Sequence, residues 1–217
     1  MTSAKDAILG KIRNSLGRGE LSPAQQQTLE ARVCGSPDTI RPAFTTPLLT
    51  RFVSQLEGVA GSFEQVRDRA EAVRALLAYV EGKGLAGELV AAPSLQDWPW
   101  TQDLQIRFGG TQGDDLISVT GCFAAIAETG SVVLLSGAES PTGLNFLPDD
   151  HVVFVEADQL LRHMEDVWPL LRALPEAPRT VNLISGPSKT ADVEQTLQIG
   201  AHGPRRFHVV FIGDAPS

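Results

Sequence analysis

From Glu88 onward, short apolar runs follow one another along the chain: ELVAA, LQIRF, DLISVTG, SVVLLS, HVVFVEA, TVNLIS and FHVVFIG. Several are apolar at consecutive rather than alternate positions, the pattern of strands covered on both faces in a parallel or mixed sheet. Between HVVFVEA and TVNLIS, the stretch DQLLRHMEDVWPLLRAL sets Leu160, Met164, Val167 and Leu171 on one face at helical spacing and predicts an amphipathic helix. Strands alternating with helices, behind a helical N-terminal part, predict an α/β domain. Its mixed or parallel sheet is flanked by helices, and a helical appendage precedes it.

Helices are expected over Ala4–Leu16 and over Pro23–Val33, the second opening at the Ser22–Pro23 start signal. Residues 34–47, CGSPDTIRPAFTTP, are punctuated by Pro37, Pro42 and Pro47 and read as a linker or arm. A further helix is expected from Leu48 to Val59. Another opens at SFEQ, where Ser62 and Gln65 have capping-box spacing, and carries Val66, Ala70, Val73, Leu77 and Val80 as its apolar stripe towards Glu81. Residues 1–47 thus form an expected N-terminal arm and linker, and residues 48–217 the α/β domain.

The chain has 217 residues, of which 42% are hydrophobic, enough for a sizeable core. Its 18 basic and 26 acidic residues leave a formal net charge of −8, which suits neither nucleic-acid phosphates nor anionic lipid as a main partner. No run approaches the roughly 18 apolar residues that span a bilayer. The N-terminal stretch lacks the apolar block of a secretory signal, and Asp6 is out of place in a mitochondrial presequence, so the cytoplasm is the expected compartment. Cys34 and Cys122 show no C-x-x-C spacing; two scattered buried thiols are expected rather than a disulfide. A chain-internal iron–sulfur cluster calls for more thiolates than these two, so no cofactor is expected in this chain. His151, His163 and His208 show no metal-ligand spacing, and no metal is expected.

Three turns carry the candidate chemistry, if ligands gather beyond the carboxyl ends of strands as in other open α/β sheets. In the first, Glu128, Thr129 and Gly130 precede SVVLLS. Gly130 permits a tight turn, Thr129 offers a hydroxyl, and Glu128 is the candidate acid–base catalyst. In the second, TVNLIS ends at Gly186–Pro187, and the hydroxyls of Ser185, Ser188 and Thr190 surround Lys189. Asp192 and Gln195 have capping-box spacing, so a helical turn beginning near Asp192 would present backbone N–H groups to an anion. GPSKT lacks the first glycine of a P-loop. In the third, Gly200 and Gly203 flank His202, an acid–base group or carboxylate partner. Each turn also reads as a plain surface connection. The long connection SGAESPTGLNFLPDD, residues 136–150, is a candidate pocket wall, and the WPW of Trp98–Trp100 reads as packing at a loop-to-core junction.

Taken together and in this order, AIAETG, SGPSKTADVE and GAHGP resemble the LUD domain of the lactate utilization family. The resemblance spans roughly residues 60–214 and is strongest from Thr120 onward. It implies a fold similar to the NagB/RpiA/CoA-transferase type and a role in oxidation of L-lactate to pyruvate. It also implies two partner proteins that carry iron–sulfur clusters, this chain being the cluster-free member. The family's glutamate–threonine–glycine turn falls on Glu128, Thr129 and Gly130. Its serine–glycine–proline–serine turn falls on Ser185–Ser188, its TAD-x-E on Thr190–Asp192 and Glu194, and its histidine–glycine–proline turn on His202–Pro204. A ligand-binding set of Thr129, Gly130, Ser185, Gly186, Ser188, Lys189, Thr190, Asp192, Glu194, His202 and Gly203 follows, for a small organic acid or phosphorylated metabolite. Fold does not transmit reaction, so a stand-alone enzyme using Glu128 and a ligand-binding module without turnover stay open.

Overall fold

A computed structural model describes residues 3–17, 19, 21–34, 41–85, 88–191, 197–200 and 202–215; of Val33, Cys34, Thr190, Ala191 and residues 197–199 it describes the backbone only. The chain divides into two compact units, Met1–Arg41 and Pro42–Ser217.

The first unit holds two helices. In α1 (Ala4–Ser15) the N-cap Ser3 accepts from the Asp6 N–H, and none of its residues is buried. In α2 (Pro23–Cys34) the cap is reciprocal: Ser22 Oγ accepts from Gln25 N–H, while Gln25 Oε1 accepts from Ser22 N–H. Ile8 and Ile12 on α1, and Leu16 just after it, are exposed.

The second unit begins with α3 (Leu48–Gly58), β1 (Ser62–Val66) and α4 (Arg69–Gly82). Strands β2 (Glu88–Ala91), β3 (Gln105–Phe108), β4 (Ile117–Gly121), β5 (Ala124–Ile126), β6 (Ser131–Leu135), β7 (Asp150–Glu156) and β8 (Leu160–Leu161) follow. The chain then forms α5 (Val167–Arg172), β9 (Val181–Ile184), β10 (Lys189–Ala191), β11 (Leu197–Ile199) and β12 (Arg206–Ile212). Six strands in the order β1-β12-β7-β4-β2-β3 make a wholly parallel sheet. A second sheet of four, β8-β5-β6-β9, mixes parallel and antiparallel pairs. The protein is therefore an α/β structure whose sheets are flanked by helices.

Alternation along each strand sorts the core into layers. On one face of the six-stranded sheet, Ile117, Val119, Val152, Phe154 and Val210 pack against Ala72, Val73, Leu76 and Val80 of α4. Trp98 stacks on Phe154 at 4.7 Å, so the WPW segment is core packing, as its sequence predicts. On the other face, Val153, Val155, Val209 and Phe211 meet Phe52 and Leu56 of α3 and Ala125, Val132 and Leu134 of the smaller sheet. The smaller sheet's outer face carries Ala124, Ile126 and Val133 against Val167 of α5. No helix among the described residues is long and apolar enough to cross a membrane.

Two helical expectations fail here, for local reasons. SFEQV is the edge strand β1, its Phe63 beside Val209 of β12, and the helix starts only after it. The working cap is Asp68, whose side chain accepts from Glu71 N–H at 2.8 Å while Glu71 accepts from Arg67 N–H. Nor is DQLLRHMEDVWPLLRAL one helix. Leu160 and Leu161 leave helical geometry to pair with Ala125 and Ile126, and Gln159 is held by Glu156 N–H and Cys122 C=O. Asp166 then accepts from His163 N–H, and the helix restarts only at Val167.

Candidate functional site

Strand β9 ends at Ile184, and the chain turns at Gly186 with φ of +81°. A Cβ there would lie 2.9 Å from Val59 O, at the end of α3, so both the conformation and the close approach require glycine. After Pro187 the turn is stitched to the His202 loop. Ser188 N–H donates to Pro204 C=O at 2.8 Å, and Gly200 N–H donates to Ser188 C=O at 2.9 Å. These two turns, distant in sequence, thereby enclose a cavity of about 240 Å³. Ser185, Gly186, Ser188, His202 and Gly203 line it, together with Asn145 and apolar Phe146, Leu183, Ile184 and Phe207.

The cavity's place in the fold differs from the expected one. It sits at the carboxyl end of β9 in the smaller sheet, yet at the amino ends of β7 and β12 in the parallel sheet. Phe207 opens β12, and the N–H groups of Arg205 and Arg206 donate to Asp149 C=O just ahead of β7. The smaller sheet, packed across the larger one, brings the end of one strand over the beginning of two others.

The helical turn expected near Asp192 lies outside the described residues, and the residues just before it are extended. Lys189–Ala191 is strand β10, paired antiparallel with β11 from Lys189↔Ile199 to Ala191↔Leu197. Lys189 is exposed and does not line the cavity. Asp192 and Glu194, and the side chain of Thr190, lie outside the described residues.

Glu128, Thr129 and Gly130 belong to a neighbouring group. Gly130 has φ of +65°, and a Cβ on it would lie 2.4 Å from Leu56 N; its lack of a side chain lets α3 close onto the turn. Thr129 Oγ1 is 2.7 Å from Ser131 Oγ, which is 2.5 Å from Ser185 Oγ at the cavity wall. This run of three hydroxyls is the link between the Thr129 turn and the cavity. Glu128 does not line the cavity. Its Oε2 accepts from Met164 N–H at 3.2 Å and lies 3.3 Å from His163 Nδ1. The His163 ring meets Phe44 edge-on, and Phe44 in turn lies under the guanidinium groups of Arg51 and Arg162.

Residues 112–212 match the family model of the LUD domain. That segment is similar to the LUD domain. Every residue lining the cavity, from Asn145 to Phe207, falls inside the matched LUD segment. The chain is similar to proteins named lactate utilization protein C. It is 34% identical to that of Deinococcus radiodurans over 44% of this chain and 45% of the relative. With that of Halalkalibacterium halodurans the identity is 31%, over 54% of this chain and 52% of the relative. The chain thus spans about half the length of these curated relatives. The protein of that name from Shouchella clausii aligns over 99% of this chain and all of its own length, at 24% identity. The solved structure of a DUF162 family protein from Deinococcus radiodurans has the same fold, with a TM-score of 0.59 at 22% identity. It covers 79% of this chain and 100% of its own.

Sequence reasoning singles out the turn residues of the cavity but not its opposite wall. Asn145 and Phe146 come from the 136–150 connection, recognisable as a wall only by its length and its glycine and proline content. Phe207 reads as an ordinary strand residue. Behind it, His151 is fully buried, its Nε2 2.9 Å from Thr120 Oγ1, and burial lowers its pKa to about 3, leaving the imidazole neutral. Beside it on β7, Asp150 is fully buried and receives Arg206 Nε at 2.6 Å, Arg206 Nη2 at 2.5 Å and the Tyr79 hydroxyl at 2.8 Å. Burial, then the bond to Asp150, drives the Tyr79 phenol well above its ordinary range.

Cys122 packs where β4 crosses into β5. Its thiol donates to Gln159 Oε1, and burial, then the charges of Glu156 and Asp158, raise its pKa well above the usual thiol range. A thiol kept protonated is a poor nucleophile and a poor metal ligand. Among the described residues, no group of His, Cys, Asp and Glu is placed to hold a metal ion. A larger hollow of about 560 Å³ beside β3 is lined by Glu88, Asp114 and Asp115, and its Arg107 is already bonded to Asp115 at 2.6 Å.

Proposed function

We propose that this chain is a LUD-domain protein serving lactate utilization, as the cluster-free member of a system that oxidises L-lactate to pyruvate. In this reading its cavity accepts a small organic acid, and two iron–sulfur partner proteins carry the electrons. The observation that carries the proposal is the coincidence of place. The cavity built by the Ser185–Ser188 and His202–Pro204 turns lies wholly within the segment that matches the LUD domain model, in a chain similar to relatives named for lactate utilization. A volume of about 240 Å³ lies below the roughly 300 Å³ at which pockets for drug-sized ligands begin, which favours a ligand of a few heavy atoms over CoA or a dinucleotide. Hydroxyls and an imidazole on one side and apolar walls on the other suit a short carbon chain with a polar end.

Deletion of the gene tests the role. Growth on L-lactate as carbon source should fail while growth on pyruvate persists, and tagged protein should recover iron-containing partners from lactate-grown cells. Unimpaired growth on L-lactate, with no second copy present, would remove the proposal.

A further inference from the structure

The cavity is lined in part by a residue whose carboxamide is unbonded. Asn145 is 1% exposed, and neither its Oδ1 nor its Nδ2 has a hydrogen-bond partner among the described residues. It is also held in place. Asn145 ends the short 3-10 turn Thr142–Asn145, whose Leu144 C=O accepts from the buried Ser118 hydroxyl at 2.6 Å. On either side, Leu144 N–H donates to Pro141 C=O and Phe146 N–H to Gly143 C=O. A buried amide with both ends open is rare in folded proteins, because each unmade bond carries the full cost of desolvation. Here its residue belongs to the wall of a cavity that also presents Ser188 and His202.

We infer that Asn145 reads the ligand and makes the cavity selective for 2-hydroxy acids over 2-oxo acids. This inference rests on the organic-acid reading of the cavity and deepens it. The argument is one of matching donors to acceptors. A carboxamide offers two N–H donors and one carbonyl acceptor. A 2-hydroxy carboxylate answers both, its carboxylate accepting from Nδ2 and its hydroxyl donating to Oδ1. A 2-oxo carboxylate carries acceptors only, so Oδ1 stays unbonded and is cut off from water by the bound ligand. A carboxylate without a 2-substituent fails in the same way. The Ser185 hydroxyl is already engaged with Ser131 Oγ, so Asn145, Ser188 and His202 are the polar side chains left to the ligand. Phe146, Leu183 and Phe207 provide the apolar side for a short alkyl group. The protein would thereby hold lactate in preference to pyruvate, its oxidation product.

Calorimetric titration of the full chain with sodium L-lactate, sodium pyruvate and sodium propionate tests this directly. L-Lactate should bind at least ~10-fold more tightly than either of the others, since sites that bond a substrate hydroxyl discriminate strongly against analogues without it. Asn145→Leu, of similar size and with no polar group to leave unpaired, should erase that difference while the thermal transition is retained. The wild-type comparison stands even if the variant does not fold. Equal affinities for lactate and propionate, or no saturable lactate binding, would overturn the inference; in either case a bridging water, not a ligand, answers Asn145. A deletion strain that fails on L-lactate while the purified chain shows no discrimination would sink this inference and leave the proposed role. A discriminating chain whose deletion is neutral would do the reverse.

Discussion

The Glu128 turn and the Ser185–Pro204 cavity are joined by three hydroxyls, yet they are finished to different degrees. Around Glu128 the carboxylate has its acceptor role filled by Met164 N–H and stands beside His163, whose ring is covered by Phe44. Around the cavity, Asn145 has neither end of its amide bonded among the described residues, whereas near Glu128 single atoms, Arg51 Nε and Glu165 Oε2, are left open. A carboxylate answered by the protein ties its own surroundings together. An amide open at both ends leaves two valences for a partner, so residue type alone is a poor guide to which is the site. Glu128 is the residue type that catalysis favours, and the doubly open amide lies elsewhere.

The hardest blow to the Glu128 side is Gly130→Ala. At φ of +65° a side chain is strained, and its Cβ would lie 2.4 Å from Leu56 N and 2.7 Å from Gln55 C, both backbone atoms of α3. Helix α3 must move, taking Phe52 and Leu56 out of the core. The expected loss is at least ~4 kcal/mol in urea denaturation, the range of large backbone and core effects. A loss under about 1 kcal/mol would mean that the turn is not clamped by α3, and that Gly130 is free to serve a ligand instead.

Acid comes next, acting on the wall behind the cavity. Burial lowers the pKa of His151 to about 3, and burial followed by the charge of Lys83 lowers that of His208 to about 4, both from 6.5. A histidine depressed in the folded state takes up its proton more readily when unfolded. Stability is therefore full above about pH 6.5 and falls as the pH drops towards 4 and then 3. At pH 5, still above both folded values, each histidine accounts for roughly 2 kcal/mol of loss relative to neutral pH. The His208→Gln variant should show a shallower decline in thermal transition temperature between pH 7 and pH 5 than the wild type. Identical slopes would place the acid sensitivity elsewhere. Lactate affinity measured above pH 6.5 should be free of this loss, which sharpens the separation between fold and site.

Much of the fold is legible in the sequence because it rests on consecutive apolar residues. HVVFVEA and FHVVFIG can bury both faces only inside a sheet, and they are its adjacent strands β7 and β12. The misses share a cause: local signals that tertiary pairing overrides. Ser62 and Gln65 have cap spacing, but Ser62 instead lies 2.8 Å from His208 Nδ1 across the strand pair. Leu160 and Met164 have helical spacing, but Leu160 is needed by Ala125 of the smaller sheet. That sheet is hard to anticipate because β5 and β8 are only three and two residues long. Among the site residues, the glycine and serine turns announce themselves by composition. Asn145 does not, since its burial and its open valences are made by residues that join it only in the folded chain.

Paired substitutions at Glu128 have the smallest expected effects and weigh the comparison most finely. Glu128→Ala removes an acceptor from Met164 N–H and a neighbour from His163 in a partly buried setting, so a loss of about 2 kcal/mol is expected. Glu128→Gln keeps an oxygen for Met164 N–H and loses only the charge, so less than about 1 kcal/mol should be lost. Amide hydrogen exchange at Met164 separates the two: faster in the alanine variant, near wild type in the glutamine variant. That graded pattern is the signature of a carboxylate that ties the β5–β6 turn to the segment leading into α5. The opposite pattern would be a glutamine variant with unchanged stability and Met164 exchange that nonetheless fails to support growth on L-lactate. It would move Glu128 from the self-sufficient side of the molecule to the functional one, with the Thr129–Ser131–Ser185 hydroxyls as its connection to the cavity.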